Sequence, residues 1–138
     1  MRRGVIMLVT MLVMFTFTSA CSVTERPEST ALSFAKAVFE EQDIAKAKTM
    51  YCPETEGLWD METAASSLGD NLVTTNFKVI RADKRQVTSA DEANGITGRV
   101  KVRISFAYKS DKTSGQYKDE GVSIHMIRRH GRWCVGFF

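Results

Sequence analysis

A strict alternation of apolar and polar residues is the most constraining feature of the sequence. Every second position from 100 to 108 is apolar, namely Val100, Val102, Ile104, Phe106 and Tyr108. The residues that alternate with them, beginning at Arg99, are polar or small and include Lys101 and Arg103. Because successive side chains of a strand point to opposite faces, the pattern predicts a strand with one buried face and one face in water.

Weaker alternation on both sides of this strand predicts a sheet of about four strands. The first strand begins near Phe77 and can run toward Thr88, with Phe77, Val79 and Arg81 on one face. The third strand covers residues 117–127, and a tight reversal at His130 and Gly131 leads into the last one. The buried positions of these last two strands are Val122, Ile124, Met126, Trp133, Val135 and Phe137.

The residues before the sheet show helical spacing. An amphipathic helix is predicted from Thr30, with Ser29 or Thr30 as its N-cap. Asp43 is placed to cap a second helix that stops before Pro53, and residues 54–68 predict a third, with Gly69 as its C-terminal stop. Helices followed by antiparallel strands indicate an α+β fold in which the helices pack on a curved sheet.

The N-terminus has the order of a secretory signal. Arg2 and Arg3 precede an apolar run over residues 5–17, and small residues then lead to Cys21. The run of 13 residues is shorter than the roughly 20 that a helix needs to span the hydrocarbon core. We therefore expect an exported protein in which residues 1–20 are removed.

The residues before Cys21 resemble a bacterial lipobox, in which small residues precede a cysteine that receives a diacylglyceryl group. Ser19 and Ala20 stand in those positions. The resemblance implies anchoring to the membrane through acyl chains, including palmitate, on Cys21. Ser22 implies passage to the periplasmic side of the outer membrane in a Gram-negative host. The alternative is an ordinary signal peptide, with Cys21 as the first residue left after cleavage.

Cleavage also changes the charge of the protein. Arg2 and Arg3 leave with the signal, so the formal net charge falls from +3 to +1. A nearly neutral exported domain argues against a nucleic-acid partner. The expected organisation is a signal over residues 1–20, a lipidated tether over 21–29 and a single domain over 30–138.

The domain resembles the nuclear-transport-factor-two-like, or cystatin-like, cone fold and its small bacterial lipoproteins of unassigned function. The resemblance rests on Phe34, Ala37, Asp43 and Ala47 at the front and on residues 131–135 (Gly-Arg-Trp-Cys-Val) at the back. It implies a curved sheet wrapped around a helix, with a cone-shaped pocket. Catalytic members of that family place a carboxylate or histidine in the pocket, and no such residue can be mapped onto this sequence.

The remaining cysteines, Cys52 and Cys134, are candidates for a disulfide because an exported domain meets oxidising conditions. Two separate buried thiols are the alternative. A zinc site with His125 is disfavoured because the ligands lack close spacing. We expect no metal, no cofactor and no catalytic residue, since no sequence motif for these appears.

Two sets of residues are candidates for binding. Arg99, Lys101 and Arg103 form a basic stripe for an anionic surface, with a solvated outer face as the simpler interpretation. An apolar pocket or partner groove could be lined by aromatic residues and a methionine, although core packing is the more usual role of such residues: Trp59, Phe77, Phe106, Tyr108, Met126 and Trp133.

The preferred functional hypothesis is a non-catalytic, lipid-anchored envelope module that binds a small apolar ligand or a partner protein. A structural or assembly component of an envelope complex, with a homodimer as one form, is the second hypothesis. A pocket enzyme of the isomerase or dehydratase kind is the third. A buried acid or histidine facing the pocket would favour the enzyme.

Overall fold

The computed structural model describes residues 25–53 and 61–137, with the side chain of Phe137 left aside. Its α+β class, with helices packed on an antiparallel sheet, confirms the predicted fold class. Four helices and four strands are described, in chain order: α1 (Pro27–Ala35), α2 (Ile44–Lys48), α3 (Met61–Ser66), β1 (Val73–Arg85), α4 (Ser89–Ala93), β2 (Ile96–Lys109), β3 (Lys118–Arg129) and β4 (Arg132–Phe137).

Helix α1 begins earlier than the sequence predicts. Arg26 is extended at the N-cap and Pro27 occupies the first turn, where its fixed φ and missing N–H cost nothing. The predicted cap at Ser29 or Thr30 is therefore wrong, and residues 27–29 of the predicted tether are helical. A π-helical turn over Lys36–Glu40 continues the helix and buries three consecutive residues, Ala37, Val38 and Phe39.

The predicted cap of α2 and the predicted stop after α3 are both present, but α2 ends at Lys48 rather than just before Pro53. The Asp43 carboxylate accepts a hydrogen bond from the Lys46 amide, which caps α2. Gly69 follows α3 with φ +110, and its amide donates to Ser66 O. The predicted third helix is described over Met61–Ser66, and its first part, residues 54–60, lies outside the described residues.

The sheet is an antiparallel meander in the order β1-β2-β3-β4. Strand β2 buries Val102, Ile104 and Phe106 as predicted, and α1 lies across all four strands. The core consists mainly of this apolar sheet face and α1, and its largest fully buried side chains include Phe34, Val38, Val102, Ile104, Phe106, Ile124, Met126 and Val135.

Strand β1 departs from simple alternation. Val79 pairs with Ile104 on the buried face, whereas Arg81 pairs with Arg103 on the outer face, so Ile80 is an extra residue at a bulge. The prediction that Val79 and Arg81 share a face is wrong for this reason. The strand also ends at Arg85 rather than near Thr88, because Thr88 caps α4 together with Asp91.

The free edge of β4 is covered by the segment before the gap in the description. Tyr51 forms a parallel bridge with Val135, and the backbone bonds Cys52 N to Val135 O and Val135 N to Met50 O hold it there. This cover brings residues 49–53 beside the β3–β4 hairpin, although about 80 residues separate them in sequence.

Candidate functional site

A cleft of about 540 Å³ opens where residues 49–53 meet the β3–β4 hairpin and the start of α1. This volume lies within the range usual for small-molecule sites. Its apolar wall consists of Met50, Tyr51, Pro53 and Trp133, with Cys134 beside them. Its polar rim consists of Glu25, Thr30, Thr49, Arg129, His130 and Arg132. We call it the tether-side cleft because Glu25 is four residues from Cys21.

The two aromatic rings of this cleft are fixed by packing. Tyr51 meets Phe34 edge to face, with ring centroids 5.5 Å apart. Trp133 lies over Gly98, where an added Cβ would come within 3.0 Å of the indole Cη2 atom. Glycine at position 98 thus leaves room for the indole, and the apolar wall is a preformed surface.

The hydroxyl of Tyr51 is buried and has no hydrogen-bond partner among the residues that the structure describes. Burial raises the pKa of Tyr51 to about 12, so the phenol remains a neutral donor at physiological pH. A buried hydroxyl without a partner costs roughly 1–3 kcal/mol.

The basic rim of the cleft is built by the hairpin turn. His130 and Gly131 both have positive φ, 51 and 74, which is the backbone of a two-residue type I′ turn. Arg129 and Arg132 are paired across it. Arg132 is exposed and presents its guanidinium group at the mouth, whereas Arg129 is half-buried and its Nε atom is inaccessible to solvent. Glu25 is the acidic residue of the rim, and its carboxylate accepts a hydrogen bond from Thr30 Oγ1 at 3.1 Å.

The residues predicted to line an apolar pocket fall into three places. Phe77 and Phe106 are stacked with centroids 4.8 Å apart, and Tyr108 is tilted against Phe106 at 6.5 Å. Both Phe106 and Met126 are buried in the core. Trp133 lies at the tether-side cleft, and Trp59 lies outside the described residues. Most of the described members therefore pack as core, which was the simpler interpretation.

The predicted basic stripe is present on the outer face of the sheet, but its members have different surroundings. Arg99 forms a bidentate ion pair with Asp91, and this guanidinium holds the pKa of the Asp91 carboxyl well below its usual range. Lys101 pairs in register with His125. The Arg103 guanidinium lies over Gly121, with Nη2 3.1 Å from where a Cβ would stand.

Cys52 and Cys134 lie at disulfide distance, with Cα atoms 5.0 Å apart, which confirms their predicted proximity. In residues 25–53 and 61–137, no three histidine, cysteine or acidic side chains come together as metal ligands. Helices within the same ranges are too short or too polar to cross a bilayer. Cys21 lies outside the described residues.

No protein-family model matches the chain, and neither does any curated protein. Among solved structures, the chain is similar to the intermembrane space region of the chloroplast protein ARC6, with 10% identity and a TM-score of 0.43. The match covers 82% of this chain and 95% of that chain. A likeness at this distance assigns neither a family nor a function.

Proposed function

We propose that this chain is a lipid-anchored envelope protein that binds a small amphiphilic molecule in the tether-side cleft without catalysis. The proposal retains the nuclear-transport-factor-two-like resemblance, which is supported by the position of α1 across all four strands. The ligand class is a molecule with an apolar body and an acidic group. A site at the membrane surface suits such a molecule, because amphiphiles concentrate there.

The observation that carries the proposal is the combination of a fixed aromatic wall and a basic rim in one cleft. Trp133 and Tyr51 offer apolar area at little cost in side-chain entropy, because packing already holds them. Arg132 offers a charge-assisted hydrogen bond to a carboxylate or phosphate. Recognition of both parts of an amphiphile requires this pairing.

The tether places the cleft close to the anchor. Glu25 is the fourth residue after Cys21. An extended chain of four residues reaches about 14 Å. A lipid on Cys21 would therefore hold the cleft within that distance of the headgroups. The ligand would not need to cross open solvent to reach the site.

Oleate and oleyl alcohol test the binding proposal, because they share a chain and differ in charge. We expect Arg132→Gln to weaken oleate binding about tenfold, as loss of a charge-assisted hydrogen bond predicts. Oleyl alcohol binding should change little. The measurement is Trp133 fluorescence in a Trp59→Phe protein exported without lipid. Lys118→Gln removes the same charge from the start of β3, at the opposite end of that strand from the hairpin, and is the matched control. Equal losses for both probes would contradict the proposed role of Arg132.

Substitution of Cys21 tests the anchor. In cells fed an alkyne-tagged palmitate, the wild-type protein should carry the label and fractionate with membranes. Cys21→Ser should lose the label and move to the soluble fraction, because no acyl chain remains to hold it. Ser22→Ala, the control at the neighbouring position, should keep the label and remain in the membrane fraction. Membrane fractionation of unlabelled Cys21→Ser protein would show that the anchor is wrongly assigned.

A further inference from the structure

The side of the sheet that faces away from α1 is basic over the half nearest the β3–β4 hairpin. Register places Arg85 beside Arg99, and Lys101 beside His125. On β3, His125 and Arg129 are four residues apart and therefore share a face. We define the basic face by seven cations: Arg81, Arg85, Arg99, Lys101, Arg103, Arg129 and Arg132.

Charge is segregated onto this face. Its seven cations stand beside two carboxylates, Asp83 paired with Arg81 and Asp91 paired with Arg99, so these nine residues sum to a charge of +5. The chain without residues 1–20 carries +1, so everything outside the face amounts to −4. A nearly neutral protein thus has one strongly positive side, which favours electrostatic contact with an anionic surface.

His125 responds to this field. Partial burial lowers the pKa of its imidazole, and the charges of Lys101, Arg85 and Arg99 lower it further. Three cations on two neighbouring strands therefore act on one side chain. Asp83 and Asp91 do not cancel their effect, although both lie at the same face.

The basic face ends at the tether-side cleft, which also contains Glu25, the first described residue. Arg129 and Arg132, its last members, line the tether-side cleft together with Glu25. Cys21 is four residues from Glu25 and reaches about 14 Å at most. Among polyanions, the headgroup surface that holds the acyl chains is thus the one held permanently beside this face.

We propose that the basic face lies on an anionic phospholipid surface and sets the orientation of the anchored domain. The inference rests on the proposed lipid anchor. A basic residue near an anionic bilayer increases binding roughly fivefold. Such contacts are weak one at a time, but the anchor makes them intramolecular, so a few of them can fix the orientation.

The test uses the acylated protein extracted from its membrane and placed in nanodiscs, with its two histidines ¹³C-labelled for NMR. Nanodiscs contain phosphatidylcholine alone or with 30% phosphatidylglycerol. Anionic headgroups against the face should raise the pKa of His125 by about half a unit, which corresponds to a surface potential near −30 mV. Phosphatidylcholine alone should leave it unchanged.

Charge-matched variants separate this contact from a general effect of charge. Lys101→Gln with Arg103→Gln should abolish the lipid-dependent rise. Lys48→Gln with Lys118→Gln, off the basic face, should retain it. Equal His125 pKa values in both nanodiscs for acylated wild-type protein would overturn the orientation and leave the anchor intact, whereas absence of acylation would overturn the anchor itself. A rise with soluble polyphosphate but not with anionic nanodiscs would assign the face to a polymer and also overturn the proposal.

Discussion

Reduction of the Cys52–Cys134 bridge is expected to lower the free energy of unfolding by about 4 kcal/mol. The two cysteines are 82 residues apart, and closure of a loop of that length restricts the unfolded chain strongly in the chain-entropy model. The bridge also fixes the segment over the edge of β4, where Cys52 N donates to Val135 O. Urea unfolding of the unlipidated, exported protein with and without reductant measures the change.

Replacement of both cysteines by alanine separates the bond from the packing around it. Cys52 is fully buried beside Ile96 and Ile127, so the double variant should lose the stability of the bridge together with some apolar packing. Reduced wild-type protein retains both side chains and is the matched reference. If reduction left the urea midpoint unchanged, the bridge would add nothing to stability, and free thiols in the exported protein would show that it does not form.

The bridge connects stability to the proposed site. Cys134 belongs to the wall of the tether-side cleft, and Cys52 follows Tyr51 directly. The backbone bonds of residues 50–52 to β4 are few, so the covalent link is the strongest restraint on that wall. Export into an oxidising compartment would therefore both stabilise the fold and hold the aromatic surface in place.

Local patterns were sufficient to predict most of the fold. Alternation in β2 predicts its buried face because one side is packed and the other is in water. Asp43 is recognised as a cap from its chemistry alone, and Gly69 as a helix stop from its conformational freedom. Each of these signals lies within a few residues of the structure that it specifies.

Two further features of the fold, the start of α1 and the short helix α4, have local signals in the sequence. Pro27 marks the first turn of α1, and Thr88 with Asp91 is a capping pair for α4. The β1 bulge at Ile80 and the π-helical turn after α1 have no comparable sequence signal. The bulge keeps β1 in register with β2 on both sides of Ile80. The π-helical turn buries three consecutive residues, Ala37, Val38 and Phe39.

The tether-side cleft could not be predicted, because its parts meet only through tertiary contacts. Residues 49–53 contact the hairpin through the parallel bridge between Tyr51 and Val135. The sequence around Tyr51 has no periodic pattern that predicts this bridge. The sequence predicts Trp133 as a pocket residue from its residue type alone. The same criterion selects Phe106 and Met126, which pack in the core. The basic stripe was visible because it belongs to one strand, while its continuation through Arg85, Arg129 and Arg132 required the register of the sheet.

Gly69→Ala is expected to destabilise the protein by about 3 kcal/mol. The backbone has φ +110, a conformation that costs an L-residue roughly 1–3 kcal/mol. An alanine Cβ would also come within 2.5 Å of Ser110 Oγ. That hydroxyl donates to Leu68 O and accepts from the Lys112 amide, so it cannot move without loss of hydrogen bonds that join α3 to the β2–β3 connection. Urea unfolding measures the loss.

Gly95→Ala separates backbone strain from steric conflict. Gly95 also has positive φ, +78, but no atom lies within 4 Å of its added Cβ, so only strain applies and about 1 kcal/mol should be lost. Ser110→Ala combined with Gly69→Ala removes the hydroxyl and should recover part of the larger loss. Equal effects of the two glycine substitutions would mean that the side chains of Ser110 and Asp111, which both contact the added Cβ at position 69, yield freely.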